Sequence, residues 1–283
     1  MAERTESSEK LIRRARPREV FNVALFRRNT FQIAQAALVL GLLVWLTLRG
    51  AEAMDYHWQW YRVRPFFYRV VDGELIYGPL IKGLFVSLKL AALGGVLAIL
   101  IGGLTAFARM SDSFAGRLIA TVYLEAIRNT PLLVQLFLFY FVLAPIFGID
   151  RFWAGVLCLA FFEGSFAAEI IRGGIQGVNR GQYEAADAIG LTGFDKFRFV
   201  VVPQSLPLIL PPLTGLIISL IKHSAIVSVI AVEELTTAGL NLISETFMAF
   251  EIWFLVAGIY LALTITLSIG VSLFERTLNK DRR

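Results

Sequence analysis

Long apolar runs alternate with short polar stretches along this chain. Six runs stand out, at roughly 31–48, 83–108, 130–147, 152–171, 204–231 and 251–274. At about 1.5 Å per helical residue, each predicts a helix able to cross ~30 Å of hydrocarbon. The third looks shortest, because Pro131 and Pro145 sit near its ends. The fold expected is all-α and integral to a membrane, with six transmembrane helices. Composition agrees: 57% of the 283 residues are hydrophobic and only 17% are charged. A soluble fold of this size would need more polar surface.

Lys and Arg orient the spans. With residues 1–30 on the cytoplasmic side, 19 basic residues fall inside and 6 outside, so the positive-inside rule selects this arrangement. Both termini are then cytoplasmic. Segments 49–78 and 233–250 lie outside, and Lys89 and Lys222 lie within spans. Ala51-Glu52-Ala53 imitates a signal-peptidase site, but the polar leader is long and the apolar run exceeds an h-region, so an uncleaved anchor is expected. Segment 49–78, rich in Trp, Tyr and Phe, reads either as a membrane-surface contact or as a loop with its own small core. The net charge of +5 therefore reports topology rather than nucleic acid. Cys158 is the sole cysteine and there are two histidines, so neither a disulfide nor a metal site is expected.

The loop between the fourth and fifth runs is unlike the rest. Asn179 can cap a helix, with Gln182 three residues on. Tyr183 to Ile189 supply about two turns, and Gly190 suits the position after a helix end. Thr192 then resembles a second cap, with Asp195 following, and Pro203 can open the next span. Two short helices with a bend at 190–193 are predicted. Ala185 and Ala186 would keep one face thin enough for another protein to approach.

These residues carry a resemblance. Glu184-Ala185-Ala186, Gly190 four residues after Ala186, and Val200-x-Val202-Pro203 resemble the EAA loop of ABC-importer permeases. Valine replaces the family's Ile and Leu at 200 and 202. "IRNTPLLVQ" (127–135), "SFAAEIIRGGI" (165–175), "LPPL" (210–213) and "VSVIAVEEL" (227–235) are similar to the polar amino-acid subfamily, which imports histidine, arginine, glutamine and glutamate. The likeness covers about 79–274, which implies a five-helix importer-permease core plus an N-terminal extra span. The expected organisation is a basic tail (1–30), an anchor span (31–48), a periplasmic segment (49–78), the core (79–274) with its coupling loop (178–203), and a tail (275–283). The resemblance implies a bacterial inner-membrane transport subunit. Its implied partners are an ATP-binding subunit dimer, a periplasmic or extracellular solute-binding protein, a second permease copy or related permease, an amino-acid substrate and the lipid bilayer, with no nucleic acid. Tyr183, Glu184, Ala185, Ala186 and Gly190 would contact the ATPase. No cofactor and no catalytic residue is implied.

Polar residues within spans mark a candidate cavity. Intramembrane charges persist where they meet a partner, water or a ligand. Glu163, Lys222, His223 and Ser224 are the candidates, read either as cavity wall or as internally bonded structural groups. Glu169 and Arg172, three apart, suggest an ion pair. Pro203, Pro207, Pro211 and Pro212 predict a kinked, protein-facing fifth span. Where the subfamily often has Asp or Asn, His223 stands here, which points to a neutral or acidic polar substrate. Two other classes compete. An intramembrane hydrolase using His223 with Ser219 or Ser228 lacks a G-x-S-x-G elbow. A secondary carrier or channel would have no use for the coupling loop. The absence of a G-x-x-x-x-G-K-[ST] run assigns ATP hydrolysis to another chain.

Overall fold

The computed structural model describes residues 19–53 and 56–280, with side chains for 31–50 and 56–273. The basic residues of 1–18 and of 281–283, which set much of the charge bias, lie outside the described residues. The described residues fall into two units, one up to Trp58 and the other from Gln59 onward. The first contains helix α1 (Glu19–Ala53), whose side chains from 31 to 50 are all exposed. Phe31–Gly50 is long and apolar enough to cross a membrane.

The second unit opens with a hairpin, β1 (Tyr68–Val71) and β2 (Glu74–Tyr77), turning through Asp72 and Gly73. Helices then follow as α2 (Pro79–Met110), α3 (Phe114–Arg128), α4 (Leu132–Phe147), α5 (Arg151–Gln176), α6 (Arg180–Ala188), α7 (Val202–His223), α8 (Leu235–Thr246) and α9 (Ala249–Lys280). Among the described residues five helical segments pass as spans by length and apolarity, and six if the bent pair α3–α4 is one span.

Helix α2 packs along α5 through small residues. Ala91, Gly94, Ala98 and Gly102 on α2 are buried, as are Ala160, Gly164 and Ala167 on α5. A Cβ on Gly102 would lie 2.6 Å from that of Ala167, so the backbones approach too closely for any larger residue. In lipid such contact replaces the hydrophobic drive that water would supply. Leu90, Leu159, Leu213, Leu216, Leu220 and Val227 fill the core around it.

Several expectations need correction. The cytoplasmic loop expected at 109–129 is mostly helix α3. It meets α4 at a 108° corner, where buried Gln135 donates to the carbonyls of Ile127 (2.7 Å) and Thr130 (2.9 Å). The expected 233–250 loop is largely helix α8, with Leu235 and Met248 fully buried beside Leu80 and Ile252. The tail expected from 275 is helical through Lys280. Pro203 does not begin its helix, because helical turns already run from Gly193. A wide π turn spans Lys196–Val201, and a second spans Leu138–Leu143. Each ends two residues before a proline, Pro203 and Pro145. Proline removes one donor and crowds the carbonyl four residues back, and a π turn relieves that clash.

Candidate functional site

Two places hold the residues singled out by sequence. At one end of the bundle, the capped loop folds as its residues dictate. Asn179 Oδ1 accepts from Gly181 N (2.8 Å), starting α6. The helix ends with Gly190 at φ +79°, where Leu191 N donates to Ala186 O and Gly190 N to Asp187 O. That double closure with a left-handed residue is the Schellman arrangement. Thr192 Oγ1 then accepts from Asp195 N (3.2 Å) and donates to the Asp195 carboxylate (2.6 Å). Lys196 bridges back to Asp187 at 2.6 Å, joining the two arms of the bend. Tyr183 OH donates to Ile175 O (3.0 Å), so Tyr183 anchors α6 to the end of α5.

Ala186 is 2% exposed, which corrects its reading as part of a thin outer face. Its methyl is covered by this chain itself. Glu184 and Ala185 do face outward, as do Ile189 (76% exposed) and Phe194 (68% exposed). Sequence reasoning missed these two as surface residues. The available signal was apolar side chains in a segment too polar and too bent to be a span.

The other place lies within the spans. Glu163 sits 12 positions into α5, about 18 Å from its start at 1.5 Å per residue. It is 3% exposed, and its Oε1 lies 2.5 Å from His223 Nδ1 on α7. Phe162 meets the His223 ring edge-on at 5.8 Å. The pair borders a cavity of about 320 Å³ between α5 and α7. Pro212, Leu216, Ser219 and His223 line it at spacings of four, three and four, a single helical stripe. Ser224 is elsewhere: it is fully buried and donates to Ile221 O at 2.7 Å. The Lys222 side chain is exposed, does not line this cavity, and has neither a hydrogen bond nor an ion pair among the described residues. No serine hydroxyl bonds His223 among the described residues, so the hydrolase reading finds no activated nucleophile there. Among the described residues no three His, Cys, Asp or Glu side chains gather as a metal would need.

Six residues further along α5, Glu169 collects cations from three helices. Arg109 of α2 and Arg172 of α5 donate to its carboxylate, and Arg128 of α3 lies 3.7 Å away. The expected Glu169–Arg172 pair is thus part of a latch at the α6 end of the spans. Arg128 also lies over the Phe166 ring, which lines the cavity.

Residues 94–280 match the family model described as "Binding-protein-dependent transport system inner membrane component". The chain belongs to this family. Among its relatives, this permease is 37% identical over 202 residues to the "Glutamine transport system permease protein GlnP" of Escherichia coli (strain K12). That match covers 70% of the chain and 92% of the relative. It is 41% identical over 165 residues to the "Probable glutamine ABC transporter permease protein GlnM" of Bacillus subtilis (strain 168), covering 58% and 76%. Among solved structures, it resembles a chain in the "Crystal structure of an amino acid ABC transporter with histidines". The identity there is 43% and the TM-score 0.67, covering 70% of this permease and 94% of that chain. A chain of the inward-facing MetNI methionine ABC transporter shares the fold alone, at 18% identity and a TM-score of 0.61.

Proposed function

We propose that this permease carries a neutral polar amino acid inward, driven by an ATPase dimer that docks on the α6 loop. The α6 end of the bundle is cytoplasmic and the α8 end faces a solute-binding protein. A second permease copy, or a related one, completes the pathway. The relatives named for glutamine support the substrate class, and the charge bias of the sequence supports the orientation.

The observation that carries the reading is the Glu163–His223 pair beside the cavity. A buried carboxylate that lacked a partner would select a cationic side chain. Here His223 Nδ1 lies 2.5 Å from Oε1 of that carboxylate, so the carboxylate already has a partner within the chain. Lys222, one residue away, is turned about 100° from His223 around α7 and does not line this cavity. Ile189, Phe194 and Ala185 form the apolar surface that receives the ATPase, and Gly190 fixes its bend.

The test is reconstitution with the ATPase and candidate binding proteins, reading ATP hydrolysis over an amino-acid panel. Glutamine or a similar neutral polar amino acid is expected to stimulate it. Stimulation by arginine and lysine alone would overturn the substrate class. Uptake without any ATPase would overturn the coupling.

A further inference from the structure

Segment 59–78 precedes the family match and is held firmly on the rim where α2 begins. Phe66 is 5% exposed and packs with Leu80, Leu235, Met248 and Ile252. Gly78 N donates to Phe67 O at 2.7 Å, and Gln59 N donates to Glu251 Oε1 at 2.6 Å. The hairpin that this base carries has two unlike faces. Its register pairs Tyr68 with Tyr77 and Val70 with Leu75, which puts all four on one face. The other face holds Arg69, Val71, Glu74 and Ile76. The wholly apolar face is uncovered: Tyr68 is 39% exposed, Val70 59%, Leu75 59% and Tyr77 53%.

We propose that this face lies in the headgroup–acyl boundary of the bilayer, as an interfacial hairpin beside α2. Continuity with α2 is the first argument. Tyr77 meets the Phe85 ring at 6.0 Å, and Phe85 stands six residues into the span, about 9 Å from its start. Interfacial elements bury their apolar faces to a depth of about 5–10 Å. Phe85 shares its exposed stripe with Val96, Leu100 and Phe107, so the hairpin prolongs the apolar flank of a span. Chemistry is the second. Tyrosines edge the face, and the Arg64 guanidinium lies 5.1 Å over the Tyr68 ring, where it can meet a lipid phosphate. Area is the third. Four half-exposed side chains offer roughly 400 Å², half of the ~800 Å² per partner that a stable protein interface needs.

Paired cysteine labels test this in the assembled transporter in nanodiscs. The native Cys158 is fully buried and serves as the unlabelled background. Leu75→Cys and Glu74→Cys, adjacent on β2 but on opposite faces, would each carry a small fluorophore. Val70→Cys and Arg69→Cys repeat the comparison on β1. Lipids brominated near the headgroup should quench the labels at 75 and 70 several-fold more than those at 74 and 69, with aqueous iodide giving the reverse order. Equal iodide quenching on both faces would overturn the proposal. So would labels at 75 and 70 shielded from lipid and iodide alike, since that result assigns the face to a protein partner.

Discussion

The α6 loop and the Glu163–His223 cavity are both polar interruptions of an apolar chain, yet they are held in opposite ways. The bonds that cap and bend the loop close within nine residues, Asn179 to Gly181, Thr192 to Asp195 and Asp187 to Lys196, and a longer one from Gln204 to Gln182 ties it to α7. The cavity pair spans 60 positions and exists only because α5 and α7 are packed side by side. Local capping is written into residue order, whereas the long-range pair is a consequence of packing. The loop can therefore present a fixed surface to a partner while the spans move. Any movement of α5 against α7 must instead stretch or break the Glu163–His223 contact.

The loop supplies the sharpest way to break this contrast. Ile189→Asp and Phe194→Asp each place a charge on a surface assigned to ATPase docking, and neither side chain supports the fold. Loss of a central apolar contact costs about 2 kcal/mol, or roughly thirtyfold in affinity. Transport should collapse while membrane abundance and thermal stability stay unchanged. Ala186→Val should do the reverse. Its methyl is buried, so overpacking should cost about 1–3 kcal/mol and lower the melting temperature in detergent. Equal loss of stability in both kinds of variant would erase the distinction between outer and inner faces of α6.

That distinction also marks how far the sequence could be read. Both caps and Gly190 are short-range chemistry, and the structure follows them residue by residue. The sequence did not say which way Ala186 turns, because inside and outside on a nine-residue helix depend on what packs against it, here the turns of Lys196–Val201. Ser224 illustrates the same limit. A serine next to His223 looks like cavity wall, but one residue turns a helical side chain by about 100°, which carries Ser224 into the core and leaves Ser219 on the stripe. Helix α3 was hidden for another reason. Its arginines imitate a loop, while Leu118, Ile119 and Val122 form one exposed apolar flank. The hairpin was half legible: 49–78 read as either surface contact or small core, and the structure gives it a core at Phe66 beneath an uncovered face.

The cavity offers the next, smaller effect. His223→Asp would set a second carboxylate near Glu163, and two acids at such range cannot both remain ionised without a cation. Competition assays should then shift severalfold toward arginine and lysine. Glu163→Gln leaves His223 without its anion and should lower transport of every substrate without that shift. Unchanged selectivity and rate in both variants would make the pair purely structural and leave the cavity without an assigned polar wall.

Glu234 tests the contrast within a single residue, with the smallest expected effect. It lies between α7 and α8, outside the spans, and is fully buried. Its local bond is the α8 cap, Thr237 N to Oε1 at 2.8 Å, three residues on. Its long-range bonds come from Tyr260 OH at 2.9 Å and Ser87 Oγ at 3.2 Å, both donating to Oε2. Burial pushes its carboxyl above the ordinary carboxylate range, and the donors from Thr236, Thr237, Tyr260 and Ser87 offset only part of that. The folded state therefore holds this proton more tightly than the unfolded chain does. Its contribution to stability is complete below the unfolded value near 4.5 and declines as pH rises through the higher folded value. Glu234→Gln keeps an acceptor for the cap and cannot titrate. The difference in melting temperature between wild type and Glu234→Gln should thus change in favour of the variant as pH rises from 4.5. A pH-independent difference would mean that the donors cancel the effect of burial, and a difference that moves against the variant as pH rises would mean that they outweigh it. Glu234→Ala should cost about 1 kcal/mol at any pH for the lost cap alone. A larger cost would measure what stranding Ser87 and Tyr260 adds, and so how much of the α8 end is held by distant rather than neighbouring residues.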